Sequence, residues 1–333
     1  MTDLGVLQQT GAGRSAHAVG TRRLRPWRVG AHVLVVLVLA AAALLVLMTS
    51  VATGPKVRPV QSIAARPAPP PVPPGYAQLP AATQINAKFK LPVTSGLLFD
   101  VRTGRVLWRR AALRAVPMAS LTKMMTALIV VSHTRPSARV RITRAAVNYS
   151  GSGVGNLPFG KKISLMTLLY GLMLPSGNDA AIALAQHVAR TEPRFIAMMN
   201  ARARKMHLRC THFDTVSGIV DRGNHSCAVD LAIIAHEVLK QPLLAKIVAT
   251  RNIVRPMPVK GGKVYLFNNN PLLELHYRGA DGVKTGYTQA AGSCLVASAR
   301  RGHKWLGVVL LHSDDPPDQA KQLLNAGFRA PDV

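Results

Sequence analysis

The amino-acid sequence predicts an α/β domain in which a sheet built from both ends of the globular region packs against helices from its middle. Strand patterns begin and end this region, at residues 95–100, 106–108, 291–299 and 306–311. An amphipathic helix pattern over residues 317–328 follows the last strand. Helical patterns occupy the interval, at residues 120–131, 165–174, 179–189, 192–206 and 228–239. Strands at both ends that enclose a helical middle imply a sheet closed by the two termini, with a helical insertion.

The composition limits the class of protein. With 333 residues, the chain is long enough for one substantial core once non-globular parts are removed. Hydrophobic residues make up 48% and charged residues 17%, which excludes an intrinsically disordered chain. Three cysteines are too few for a disulfide scaffold.

The chain is strongly basic, with a formal net charge of +28. Residues 1–54 contain five Arg and one Asp, so the remainder keeps a net charge of +24. Such a charge predicts an anionic partner, either a cell-wall polymer or a lipid surface. Nucleic acid is not expected, because aromatic residues are only 5%, the Lys and Arg are scattered, and no nucleic-acid-binding motif occurs.

The N-terminal part predicts a membrane anchor. Residues 33–52 are apolar or small and long enough to cross a bilayer, and arginines at 22, 23, 25 and 28 precede them. We therefore expect a basic cytoplasmic tail over 1–29 and a single-pass transmembrane signal-anchor over 30–53, with the rest outside the cytoplasm, on the periplasmic or wall side. Residues 50–52 also fit a signal-peptidase site, so a cleaved signal is the alternative.

A proline-rich linker over residues 54–82 is expected next. Nine prolines between Pro55 and Pro80 favour an extended polyproline conformation that separates a folded domain from the membrane. The folded domain is expected over residues 83–328.

Ser120 and Lys123 form the first motif that carries chemistry. Their spacing places the hydroxyl and the amine on one face of a helix, one turn apart, and the apolar residues that follow indicate that this helix is buried. A desolvated lysine has a lowered pKa and can take a proton from serine. Taken alone, the pattern also fits a capping serine beside a lysine that extends to the surface.

Two further motifs follow. Ser176 and Asn178 stand in a turn between helical segments, where they suit either substrate binding with proton relay or capping of a helix. Lys284, Thr285 and Gly286 come before the terminal strands, where the first two can receive an anionic group and the glycine allows a substrate backbone to approach.

Together, the three motifs resemble those of the penicillin-binding protein and serine β-lactamase superfamily. The local sequences resemble most closely the low-molecular-mass D-alanyl-D-alanine carboxypeptidases, over about residues 83–328. The matching stretches are 118–127, 174–181, 211–213, 268–273 and 282–288. The resemblance implies a serine β-lactamase/transpeptidase-like fold, an antiparallel sheet between helices with a mostly helical lobe. It also implies a cleft enzyme without metal or cofactor.

The resemblance implies an acyl-enzyme mechanism on the stem pentapeptide of peptidoglycan. Ser120 would be the nucleophile, Lys123 its general base, and Ser176 a proton relay to the departing D-Ala. Among the substrate-binding residues, Asn178 would hold the substrate amide, and Lys284 and Thr285 would bind the terminal carboxylate. Gly286 and Tyr287 would complete this set. The backbone amides of Tyr287 and Ser120 would form the oxyanion hole. β-Lactams would act as inhibitors by acylating Ser120. A D,D-endopeptidase of the same family and a non-catalytic wall-binding or β-lactam-sensing module remain alternatives.

Four other residues permit two interpretations. Cys210, His212, His225 and Cys227 could hold zinc, or the two cysteines could form a disulfide in an exported domain. We expect Cys294 to be a buried, inert thiol. Asp214 stands roughly where a β-lactamase would need its deacylating glutamate, but a turn role is expected for it.

Overall fold

The computed structural model describes residues 85, 87, 89–91, 93–155 and 157–331. The predicted tail, membrane anchor and linker therefore lie outside the described residues. Within the described part of the chain, no helix combines the length and the apolar character needed to cross a membrane.

The described residues form eleven strands and nine α-helices. The strands are β1 Ser95–Asp100, β2 Val106–Arg110, β3 Val116–Pro117, β4 Arg139–Arg141, β5 Lys162–Ser164, β6 His225–Ser226, β7 Asn252–Pro256, β8 Lys263–Phe267, β9 Ala280–Thr288, β10 Gly292–Arg301 and β11 Lys304–Ser313. The helices are α1 Lys123–His133, α2 Arg144–Val147, α3 Leu165–Met173, α4 Asn178–Ala189, α5 Glu192–Lys205, α6 Ala228–Lys240, α7 Pro242–Ala249, α8 Pro271–Glu274 and α9 Pro316–Arg329. A 3₁₀ turn, Ala119–Thr122, leads into α1.

The main sheet has five antiparallel strands in the order β2-β1-β11-β10-β9. The first two strands of the domain thus lie in one sheet with its last three, joined by the pairing of β1 with β11, in agreement with the predicted sheet closed by the two termini. The expected strands at 291–299 and 306–311 are longer in the structure, and the Lys284 motif lies within β9 itself.

Both faces of the sheet are covered because side chains alternate along each strand. Leu97 and Phe99 of β1 belong to a large core shared with the helices of the middle region. Leu98 belongs to a second core, to which α9 contributes Leu323 and Leu324. This sandwich of helices around an antiparallel sheet confirms the expected fold class for the described residues.

The helical middle forms the second part of the domain. Helix α1 contacts α4, α6 and α3, so the helix that begins at Lys123, after the turn that carries Ser120, lies at the centre of this part. Its residues from Lys123 through Val130 are buried, in agreement with the predicted apolar helix. The hairpin of β7 and β8 and helix α7 are elements that the sequence patterns did not indicate.

Candidate active site

Ser120 lies in the 3₁₀ turn that precedes α1. The residue before it, Ala119, has a φ of 48°, a left-handed conformation that is uncommon for residues other than glycine. Ser176 has the same kind of backbone, with a φ of 66°. Both predicted hydroxyl residues thus stand at or beside strained positions, and such positions are frequent in active sites.

Lys123 is fully buried and has three hydrogen-bonding partners. Its Nζ lies 2.8 Å from Ser120 Oγ, 2.7 Å from Asn178 Oδ1 and 2.7 Å from the carbonyl oxygen of Ser217. The Asn178 Nδ2 group donates to the carbonyl oxygen of Ser150 at 2.6 Å, which fixes Oδ1 toward Lys123. The structure therefore brings the first motif and Asn178 of the second into direct contact.

The proton affinity of Lys123 is strongly reduced. Burial lowers its pKa well below 10.5, and the ammonium of Lys284 lowers the pKa further, while Asp179 acts in the opposite direction. A neutral amine has two hydrogens and one lone pair. The carbonyl groups of Asn178 and Ser217 can only accept, so they take the two hydrogens, and the lone pair is left for the Ser120 hydroxyl proton.

Strand β9 forms the opposite wall and carries the third motif. Lys284 is 1% exposed, and burial lowers its pKa to about 7. Its Nζ donates to the carbonyl oxygen of Thr285 at 2.8 Å. Gly286 packs directly against the serine turn, since a Cβ there would lie 2.9 Å from the backbone nitrogen of Ser120. The sequence predicts that a substrate backbone approaches this glycine, whereas the close neighbour in the structure is the serine turn.

A cavity of about 410 Å³ opens between these elements. Its lining consists of Ser120, Ser152, Ser176, Asn269, Pro271, Thr285, Gly286, Tyr287, Ser293, Cys294, Leu295, Pro316 and Pro317. All three motifs contribute to this lining. Tyr287 is 69% exposed at the rim, whereas the Ser176 hydroxyl is buried and bonds to none of the described residues. An unpaired hydroxyl aimed at a cleft is available for a ligand.

The chain is similar to proteins of a known family. Residues 81–315 match the family model described as D-alanyl-D-alanine carboxypeptidase. The chain belongs to this family.

Individual relatives cover the same part of the chain. A D-alanyl-D-alanine carboxypeptidase of Bacillus subtilis is 33% identical over 69% of this chain and 59% of the relative. A D-alanyl-D-alanine carboxypeptidase of Streptomyces sp. strain K15 is 36% identical over 72% of this chain and 88% of the relative. The crystal structure of the Streptomyces K15 DD-transpeptidase has a TM-score of 0.68 at 35% identity, and the match covers 73% of this chain and 99% of that one. The matched region spans about three fifths of the length of the first curated relatives.

Sequence reasoning missed some residues of the site. Ser217 contributes only its carbonyl oxygen, so the identity of its side chain carries no signal. Ser152 reaches the cavity from a loop far from the three motifs, and Asn269 arrives from the end of β8. Asp179 directly follows Asn178 and could have been noticed as an acidic residue that the helix buries.

Cys210, Cys227 and Asp214 are not part of the cavity lining, whereas Cys294 is. Cys210 and Cys227 form a disulfide, which uses both sulfurs that a zinc site would need, so the disulfide interpretation holds. Cys294 is buried, and burial raises its pKa to about 12, as expected for an inert thiol. The Asp214 carboxylate lies 3.0 Å from His212 Nε2.

Proposed function

We propose that this protein is a serine-type D-Ala-D-Ala carboxypeptidase that removes the terminal D-Ala from peptidoglycan stem pentapeptides. The observation that carries the proposal is the buried Lys123 amine, 2.8 Å from Ser120 Oγ, with its two other partners restricted to accepting. Membership of the carboxypeptidase family supports the same substrate class.

In the first step, Ser120 Oγ attacks the carbonyl carbon of the penultimate D-Ala, and its proton passes to Lys123 Nζ. The carbonyl oxygen becomes an oxyanion, which the backbone N–H groups of Ser120 and Tyr287 would stabilise. The close packing of Gly286 against the serine turn favours this pairing of amides across the cleft.

In the second step, the tetrahedral intermediate collapses and the peptide C–N bond breaks. The leaving nitrogen of D-Ala needs a proton, and the unpaired Ser176 hydroxyl would relay it from Lys123. Water then attacks the acyl-enzyme, with Lys123 again as the base, and releases the shortened peptide from Ser120.

Lys284 and Thr285 would bind the terminal carboxylate of the substrate. One hydrogen of the Lys284 ammonium is donated to Thr285 O, and two remain for an anion. A bound carboxylate raises the pKa of Lys284, so binding favours the charged form. Both ends of the Asn178 amide are already bonded, so its first role would be to hold Lys123, and contact with a substrate amide would require one of those bonds to open.

The test is product analysis on purified muropeptides. A carboxypeptidase converts pentapeptide stems to tetrapeptides and releases D-Ala. Cleavage of crosslinked dimers instead would identify the endopeptidase alternative. A protein that binds muropeptides or β-lactams without any cleavage would support the wall-binding or sensing module and refute the catalytic proposal.

The setting of the enzyme is also a proposal. The apolar span over residues 30–53 would hold the protein in the cell membrane, with the folded domain on the outer side, where its substrate lies. β-Lactams would inhibit it by acylating Ser120. The basic surface would favour contact with an anionic wall polymer or lipid surface. Protease treatment of intact spheroplasts that spares the first thirty residues would support the anchor, whereas a mature N-terminus near Thr53 would show signal cleavage.

A further inference from the structure

Asp179 is a buried acid beside the cleft to which the mechanism above gives no role. It is 0% exposed. Its carboxylate accepts the Val154 N–H at 2.9 Å with both oxygens and the Ala180 N–H at 2.7 Å. Every one of these partners donates, which suits an ionised carboxylate.

The residues 150–155, here called the 150–155 loop, are held by α4 at three points. Asn178 bonds Ser150 through its side chain and the Ser152 carbonyl oxygen through its backbone N–H, at 2.8 Å. Asp179 holds the N–H of Val154. This places Ser152 at the cavity wall.

The Val154 side chain fits between two glycines. A Cβ at Gly171 would lie 2.3 Å from Val154 Cγ2, and a Cβ at Gly177 would lie 2.8 Å from the same atom. The loop is therefore fixed by packing on one side of Val154 and by the Asp179 carboxylate on the other.

Asp179 also acts on the charge of Lys123. The charged groups that act on Lys123 are Lys284 on β9, which lowers its pKa, and Asp179 on α4, which raises it. Burial raises the pKa of Asp179 itself, while its backbone donors and Lys123 oppose that change. Burial raises the pKa of Tyr149, and the Asp179 carboxylate raises it further.

We propose that Asp179 is a positioning residue, which holds the 150–155 loop against the cleft through the Val154 N–H and supplies a buried negative charge next to Asn178, the residue that bonds Lys123. The inference rests on the proposed function, because it assigns Lys123 as the base. If no anion were near, a lysine buried beside a second lysine would lose its proton easily. Such a lysine would also be a weak base and would accept a proton poorly.

The test is the pH profile of Ser120 acylation by a fluorescent penicillin, with purified wild-type protein, Asp179→Asn and Val154→Ala. Acylation needs neutral Lys123, so the acylation rate falls as the pH drops below the Lys123 pKa. This falling part of the pH profile is called the acid limb. Asp179→Asn removes the anion that raises the Lys123 pKa, so we expect the acid limb to move to lower pH, with a lower maximal rate. Val154→Ala loosens the loop but keeps the charge, so we expect a lower rate with the limb unmoved.

The outcomes separate the two roles. An acid limb in Asp179→Asn that coincides with that of the wild type, at any maximal rate, would overturn the proposal. If Asp179→Asn does not fold, Asp179→Glu keeps the charge and must keep the limb in place, so a moved limb in that variant would also refute it. A wild-type protein that no penicillin acylates would instead refute the proposed function.

Discussion

Replacing Lys123 with methionine removes the amine but keeps much of the side-chain volume. The proposed mechanism then lacks the group that takes the Ser120 proton. Loss of a general base costs about 10² to 10⁴ in rate, or roughly 3 to 5 kcal/mol of activation free energy. Folding stability is also affected, because Asn178 Oδ1 and Ser217 O lose their common donor. Each buried acceptor left without a donor lowers the free energy of unfolding by about 1 to 3 kcal/mol. Part of this loss is offset, because the variant no longer has to bury an amine.

The assay is single-turnover acylation by a fluorescent penicillin, followed on a gel. Circular dichroism and urea unfolding must show a folded variant at the assay temperature. Lys161→Met, at an exposed lysine, serves as the matched control and should acylate at the wild-type rate. An acylation rate of Lys123→Met within threefold of the wild type would refute the assignment, since another group would then have to deprotonate Ser120.

Three further predictions concern the walls of the cleft and the fate of the acyl-enzyme. Gly286→Ala places a Cβ 2.9 Å from the Ser120 nitrogen, so β9 must move outward, and acylation should fall by about 10² or more with the fold retained, as measured by stopped-flow kinetics and circular dichroism. Lys284 has a folded pKa of about 7 against an ordinary 10.5, so the unfolded chain binds more protons between these values and the contribution of Lys284 to stability rises with pH. Urea unfolding should accordingly show that, from pH 7.5 to pH 9.5, the free energy of unfolding of the wild type rises by about 2 to 3 kcal/mol relative to that of Lys284→Met. In Asp214→Asn, as in the wild type, the penicilloyl-enzyme should persist for minutes or longer, because the Asp214 carboxylate pairs with His212. Fast penicillin turnover by the wild type that this substitution abolishes would contradict that view.

Much of the site could be predicted from sequence because its chemistry is concentrated in short motifs. Ser120 and Lys123 are one helical turn apart, so local geometry alone brings them together. The contact of Gly286 with the serine turn is long-range, and the sequence indicated only that a substrate would approach this glycine. For the fold, strand and helix patterns predicted four of the five strands of the main sheet, all except β9, and most of the helices of the middle region.

The parts that sequence did not indicate depend on tertiary packing or on backbone groups. Ser217 acts through a carbonyl that every residue has. The hairpin of β7 and β8 has outward apolar side chains such as Val254 and Tyr265, which blur the alternation expected of a half-buried strand. Asp179 looked like an ordinary acid in the first turn of a helix, and only the fold shows that its carboxylate is buried against the 150–155 loop.

The most direct test of the account is to locate the covalent bond. Wild-type protein treated with benzylpenicillin should gain the mass of one penicilloyl group, and peptide mapping should place it on Ser120. Ser120→Ala should gain none while its circular dichroism spectrum and unfolding midpoint stay close to those of the wild type. An adduct on another residue, or one retained in Ser120→Ala, would contradict the assignment of Ser120 as the nucleophile.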